Sequence, residues 1–352
     1  MKEYLQIDDA TLQRYQDVMA GYRLLVEAPE DCRPMIIVDT PVDRDCTWEE
    51  WLTDPLTMLR SDLDLLRSHI EIGDDQVLTV RVQFGSGLVP AAFGCRMVTG
   101  NGMPAAGRPI LTCSEDMYRL KKPALDAGWF GKLDEWTEIW KENLPPGIHI
   151  QHPDIQSAFN SAHLIRGSDI FLDLHDHPEA VDALLDIVTD FMIEIIRHIK
   201  ARISDDKNWF FDWGAMWKGA ARISNCSMQM ISPELYRRHV LPRDVRFFEA
   251  VGGGRMHYCG TSGDVIDKFL RVPLITGLDV DHEHHDFFAL CERAPRHVVL
   301  IPTGHFEPGS KEIERLLAGD WPKKRNIVVV AQASSVAEGK DVLARLRNSI
   351  PY

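Results

Sequence analysis

Eight short β-rich runs alternate with segments of helical apolar spacing along 352 residues, and together they predict an α/β chain whose parallel strands close into a (β/α)8 TIM barrel. The runs are MIIV (35–38), VLTVRVQF (77–84), IHIQ (148–151), WFFDW (209–213), RMHYC (255–259), LITGLDV (274–280), HVVLI (297–301) and NIVVV (326–330). Parallel neighbours need crossovers of about a dozen residues or more, and the helical segments between the runs supply them. A barrel of this kind takes roughly 250 residues, so insertions must account for the surplus. A doubly wound open sheet is the competing architecture for the same alternation.

The whole chain, 1–352, is expected to form one barrel domain with an elaborated N-terminal part. Residues 1–30 carry helical spacing and read as an N-terminal helix. Residues 85–147 hold Gly85, Gly87, Gly94, Gly100, Gly102, Pro104 and Gly107, followed by Trp129, Trp136 and Trp140, and read as a loop and helix insertion over one end of the barrel. A helix opens at Pro178 and runs through Leu184, Leu185, Val188, Phe191, Met192, Ile195 and Ile196 at 3–4 spacing. Two more open at Ser232-Pro233-Glu234 and Ser310-Lys311-Glu312, where serine caps and proline suits the first turn. Gly252, Gly253 and Gly254 precede a strand instead of opening a helix, which suits a turn and not a phosphate cradle. DLHDHP (173–178) reads as a helix start with acids complementing the macrodipole.

Composition narrows the setting. A 45% hydrophobic and 26% charged chain can bury a large core. A net charge of -14 disfavours nucleic acid or an anionic membrane as partner. No apolar stretch approaches the roughly 20 residues that span a bilayer, and the acidic N-terminal residues do not resemble a secretory signal. Seven scattered cysteines with no C-x-x-C pair suit reduced thiols in a cytoplasm. A small-molecule substrate and a homodimer are compatible with this balance.

The chemistry concentrates at strand ends. His257 and Cys259, two residues apart on RMHYC, share one face of a strand and offer the nitrogen and sulfur donors that zinc prefers. Further ligands are sought in Asp279, Asp281, His282, Glu283, His284 and His285 after the next strand, and in His305 after the one following. His282 and His305 are the metal candidates among them. Asp212, Asp279 and His305 are the catalytic candidates, because barrel strands converge on the site at their C-terminal ends. Trp209, Trp213 and Trp217 recur at four-residue spacing and read as core or pocket lining. Cys291 falls in a helical segment and reads as a core residue.

QHPDIQSAFN (151–160), then 167–173, PEAV (178–181), ISPELY (231–236) with Leu241-Pro242, and finally HYCG (257–260), resemble the uroporphyrinogen decarboxylase superfamily over about 150–345. That resemblance implies a (β/α)8 barrel. True decarboxylases grip a multiply anionic tetrapyrrole with an Arg-rich N-terminal stretch, whereas RPMIIVDTPVDRD (33–45) carries two arginines among acids. The resemblance therefore leans towards the cobamide-dependent methyltransferase-like branch.

In that branch His-x-Cys and a later Cys hold zinc, zinc activates a thiol, and the thiol takes a methyl group from a corrinoid supplied by a partner protein. His257 and Cys259 match the first two ligands, but VAQASS (330–335) has no cysteine where the later one is expected. The resemblance thus implies methyl transfer, with zinc and a corrinoid carrier protein. A metal-independent decarboxylase of a tetrapyrrole or another acid, and a non-catalytic tetrapyrrole or carrier-protein binder, are the alternatives.

Overall fold

The computed structural model describes residues 1–100, 102–261 and 263–351. Its strands are β1 (Met35–Asp39), β2 (Thr79–Val80), β3 (Met97–Gly100), β4 (Gly102–Ala106), β5 (His149–Ile150), β6 (Trp209–Asp212), β7 (Ala215–Lys218), β8 (Ala221–Ser224), β9 (Gly254–His257), β10 (Ile275–Val280), β11 (Val299–Pro302) and β12 (Val328–Gln332). Its helices include α1 (Asp9–Glu27), α2 (Trp48–Thr53), α3 (Pro55–Ile72), α4 (Phe130–Asn143), α5 (Pro178–Ile203) and α6 (Val336–Ser349).

Parallel pairing dominates. β8, β9, β10 and β11 lie side by side in one parallel sheet, β12 pairs with β1, and β2 pairs with β5. Short links join these pieces. Leu300 bridges to Ile327 beside β12, and Gln156 bridges to Ser224 at the end of β8. The amides of Ile36 and Val38 on β1 donate to the carboxylates of Asp75 and Asp74, which lead into β2. Apolar runs such as β1 (MIIVD) and β12 (VVVAQ) are buried on both faces, as parallel strands covered by helices require.

The helices follow their sequence signals. Asp54 caps α3 ahead of Pro55, and Thr47 with Glu50 forms a capping box on α2. α5 buries Val181, Leu184, Leu185, Val188, Phe191, Met192, Ile195, Ile196 and Ile199, a stripe of 3–4 spacing in which each full burial contributes about 1.5–3 kcal/mol. Gly252 ends the helix Leu241–Val251 at φ 89°, a left-handed cap that glycine adopts without steric cost. Among the described residues no helix is long and apolar enough to cross a membrane.

Two regions depart from the expected order. WFFDW does not join the parallel sheet. It forms β6, which turns back on β7 as an antiparallel hairpin, and the parallel strand of that region is β8, the ARIS run. The reason is chemical: Gly214 permits a tight reversal immediately after Asp212, while ARIS carries a buried arginine and serine that hide its strand pattern. The 85–147 insertion is more regular than a loop and helix alone, because β3 and β4 pair as a second antiparallel hairpin ahead of α4.

Candidate metal centre

Strand register builds the centre. Ser224 of β8 pairs with His257 of β9, and the Asn225 amide donates to the His257 carbonyl at 2.8 Å. Cys226 and Cys259 each lie two residues beyond that pair. Parallel neighbours continuing in step bring the two thiols alongside the imidazole. The ligand atoms of Cys226, His257 and Cys259 all lie within 4.8 Å of one another. Gly260 closes the turn at φ 88°, where a Cβ would collide with the Gln229 side chain. Its amide donates to Asp281 at 2.6 Å and its carbonyl accepts from His285 Nε2 at 3.1 Å, so the acid and histidine following β10 fasten the turn that carries Cys259.

His257 is oriented from behind. Its Nδ1 lies 2.7 Å from Asp279 Oδ2. Burial opposes ionisation of Asp279, but Arg255, His257 and Arg222 around it hold its carboxyl down at about 2. An ionised carboxylate only accepts, so Nδ1 donates and Nε2 is the ring nitrogen left available to an ion. Hydrogen bonds from Cys226 and then His257 bring the Cys259 thiol down to about 5 against the effect of burial, while the same pairing and burial raise Cys226.

Beneath the centre the interior is ionic. Arg255 pairs with Asp279 at 2.6 Å and with Asp212 at 3.0 Å, Arg222 pairs with Asp154 at 2.6 Å, and Arg81 also binds Asp212. Arg222 approaches both Asp212 and Asp279 at 3.8 Å. Buried charges are tolerated only when partnered in this way. Above them opens a cavity of about 950 Å³ that Cys226, His257 and Asp279 line together with Trp213 and His305.

Of the residues expected at the site, His257, Cys259 and Asp279 come together, and Cys291 is a buried core thiol. The others lie elsewhere. Asp212 is fully buried, held by Arg81 and Arg255, and is not among the residues that line the cavity. His282 packs edge-on against Phe306, with ring centres 4.8 Å apart, and does not join the ligand group. His305 lines the cavity but bonds to Glu307 at 3.0 Å and sits 3.7 Å from Asp39, so it also stands outside that group. Cys226 was not anticipated. Its signal is the ending of ARISNC (221–226), which repeats the strand-plus-two placement of the cysteine in RMHYC.

The residues present fit a zinc ion: one imidazole nitrogen and two sulfurs, a carboxylate behind the imidazole, and one thiol already biased to thiolate. No family model matches the chain. It is 27% identical over 215 residues to the methylcobamide:CoM methyltransferase MtbA of Methanosarcina acetivorans, an alignment covering 57% of each chain. The chain thus spans somewhat over half the length of that relative. A methyltransferase from Methanosarcina mazei shares its fold, with a TM-score of 0.69 over 95% of this chain and 98% of that one, at 18% identity. By fold and sequence together, the chain resembles the methyltransferase-like branch of the uroporphyrinogen decarboxylase superfamily.

Proposed function

We propose that this chain is a metal-assisted methyltransferase that moves a methyl group from a corrinoid, carried by a partner protein, to a thiol. The observation that carries the reading is the convergence of Cys226, His257 and Cys259 at the end of a large cavity. Succession of the parallel pairings around the chain supports closure into a (β/α)8 barrel, with these strand ends at its mouth. Zinc held by the three side chains would lower the pKa of an incoming thiol, making its sulfur nucleophilic near neutral pH.

The chain's own groups have separable tasks. Asp279 fixes the tautomer and angle of His257, and Arg255 with Arg222 fixes Asp279. Asp212 is a positioning residue acting through Arg255 and Arg81. His305 lines the cavity just beyond β11; Asp39 foremost, and Glu307, raise its pKa against partial burial, which favours the protonated ring and suits it to an anionic group. In the transfer, the sulfur–methyl bond would form as the methyl–cobalt bond of the corrinoid breaks, the electron pair of that bond would stay on cobalt, and the thiol proton would leave to solvent.

Elemental mass spectrometry of the purified protein tests the reading, combined with methyl transfer from free methylcobalamin to 2-mercaptoethanol. Near-stoichiometric zinc and transfer activity in the wild type, both lost in Cys259→Ala, are expected. Metal-free wild type whose behaviour matches that of Cys259→Ala would sink the proposal. Decarboxylation is the second reading, favoured by a cavity roomy enough for a large acid. It requires carbon dioxide release from a carboxylated pyrrole in the presence of chelator. Its weakness is that the interior arginines are already matched by Asp154, Asp212 and Asp279.

A further inference from the structure

Among the described residues Trp213 and Leu274 are the non-glycine residues with positive φ, and of the two Trp213 lines the cavity. Asp212 pairs with Ala215 across the β6–β7 hairpin, so Trp213 and Gly214 alone make the turn, and both have positive φ, 50° and 65°. Tight hairpins favour such mirror-image turns, and asparagine, aspartate or glycine normally fill the first position because a bulky L side chain is strained there. Burial does not offset that strain. Trp209 and Trp217 on the flanking strands are buried, whereas Trp213 is 52% exposed. Backbone strain retained at an exposed aromatic beside a cavity is the pattern from which function is inferred.

The surroundings say what the ring is held for. The guanidiniums of Arg81 and Arg222 lie 5.3 and 5.9 Å from its centre, and both are tied to Asp212. The indole is therefore held in place without being covered, and it lines the same cavity as Cys226 and His257. Arg44 lines that cavity as well, resting 4.0 Å over Trp48 and 4.6 Å over Trp51. Arg44 acts electrostatically on Asp62, which lines the same cavity, but makes no direct ion pair among the described residues. A planar fork of donors in that state suits a carboxylate.

We propose that Trp213 is a specificity-determining residue, a stacking platform for a substrate that carries a planar aromatic ring and a carboxylate, the carboxylate turned towards Arg44. The proposal rests on the cavity being the substrate site of the methyl transfer described above, and it names the class of acceptor as an aromatic acid bearing the thiol. Offset stacking on an indole rewards a flat π system over a saturated ring of equal charge and similar size.

Calorimetric titration of the zinc-loaded protein with benzoate and 2-naphthoate, against cyclohexanecarboxylate, tests it without any turnover. At least one aromatic acid should bind tenfold or more tightly than the saturated one. Trp213→Asn should erase that preference while its melting temperature equals or exceeds that of the wild type, since asparagine suits the turn. A merely structural tryptophan would give the opposite pair of results. Trp213→Phe should keep most of the preference, and Arg44→Gln should weaken every acid alike. Absence of aromatic preference in the wild type, or a preference that survives Trp213→Asn, overturns the proposal. Zinc content and methyl transfer to 2-mercaptoethanol are read separately, so failure of the methyltransferase reading shows there and failure of the platform shows only in the titrations.

Discussion

The ends of β8 and β9 and the ends of β11 and β12 occupy comparable places on the parallel framework, yet they carry different chemistry. At the first pair, matched register sets Cys226 beside Cys259 and His257. At the second, the chain after β11 folds back: Phe306 donates to the Val330 carbonyl at 2.8 Å and accepts from the Gln332 amide at 3.1 Å. That clasp turns His305 towards Asp39 and Glu307. One segment gathers nitrogen and sulfur donors, and the other sets an imidazole beside two carboxylates. Adjacency of strands in the sheet, and not order along the chain, decides which cysteine completes the set.

The strongest way to break this contrast is to remove one residue from each side. Cys226→Ala should abolish stoichiometric zinc and lower methyl transfer by ~100-fold or more, beyond what loss of an outer partner does. His305→Ala should keep its zinc while slowing transfer. Equal metal content in the two variants would erase the distinction.

A second comparison sharpens the role of the carboxylate behind His257. Asp279→Asn should weaken zinc binding by roughly 10–100-fold, measured by competition with a chelator. It should also destabilise the fold, because Arg255 and Arg222 lose a buried partner, and breaking such pairs costs about 3–5 kcal/mol. Unchanged zinc affinity would mean that Asp279 serves the ionic interior alone.

The smallest expected effect concerns the support of the Cys226 segment. Asn225 donates to Asp244 at 3.1 Å and Tyr236 does so at 2.9 Å. Burial raises the Asp244 carboxyl to about 7, against the pull of these two bonds. An unfolded aspartate titrates near 3.9, so the folded protein binds the extra proton between about pH 4 and pH 7. Stability from this group is therefore full below about pH 4 and is lost as pH rises to about 7, by a few kcal/mol at most. Asp244→Asn should flatten that slope in urea midpoints taken at about pH 5 and pH 8. A slope that persists in the variant would assign the pH dependence to other groups.

Much of the framework was legible because its signals are local. Apolar runs such as those of β1, β10 and β12 and the serine and proline starts at 232–233 fix element type without reference to neighbours. His257 and Cys259 were legible for the same reason, since two residues on one strand define their own spacing. Cys226 was not, because its partnership depends on which strand lies beside β9, and that strand is a run whose arginine and serine point into an ionic interior. The β6–β7 hairpin was hidden by its turn: a tryptophan occupies the place where asparagine or aspartate would have announced the reversal.

The ionic interior also bears on how this chain can change over time. Arg81, Asp212, Arg255, Asp279, Arg222 and Asp154 form one connected set in which every member has a partner of opposite sign. Neutralising a single position strands its partner, whereas exchanging a whole pair for well-packed apolar residues can be nearly neutral. Substitutions there should accordingly be accepted in pairs, with strong epistasis between sites far apart in sequence. Mutational paths into the floor of this cavity are thus narrow, while Trp213 and Arg44, which line it outside that ion-paired set, can change one residue at a time; if they select the substrate as proposed, specificity is the property that diverges first.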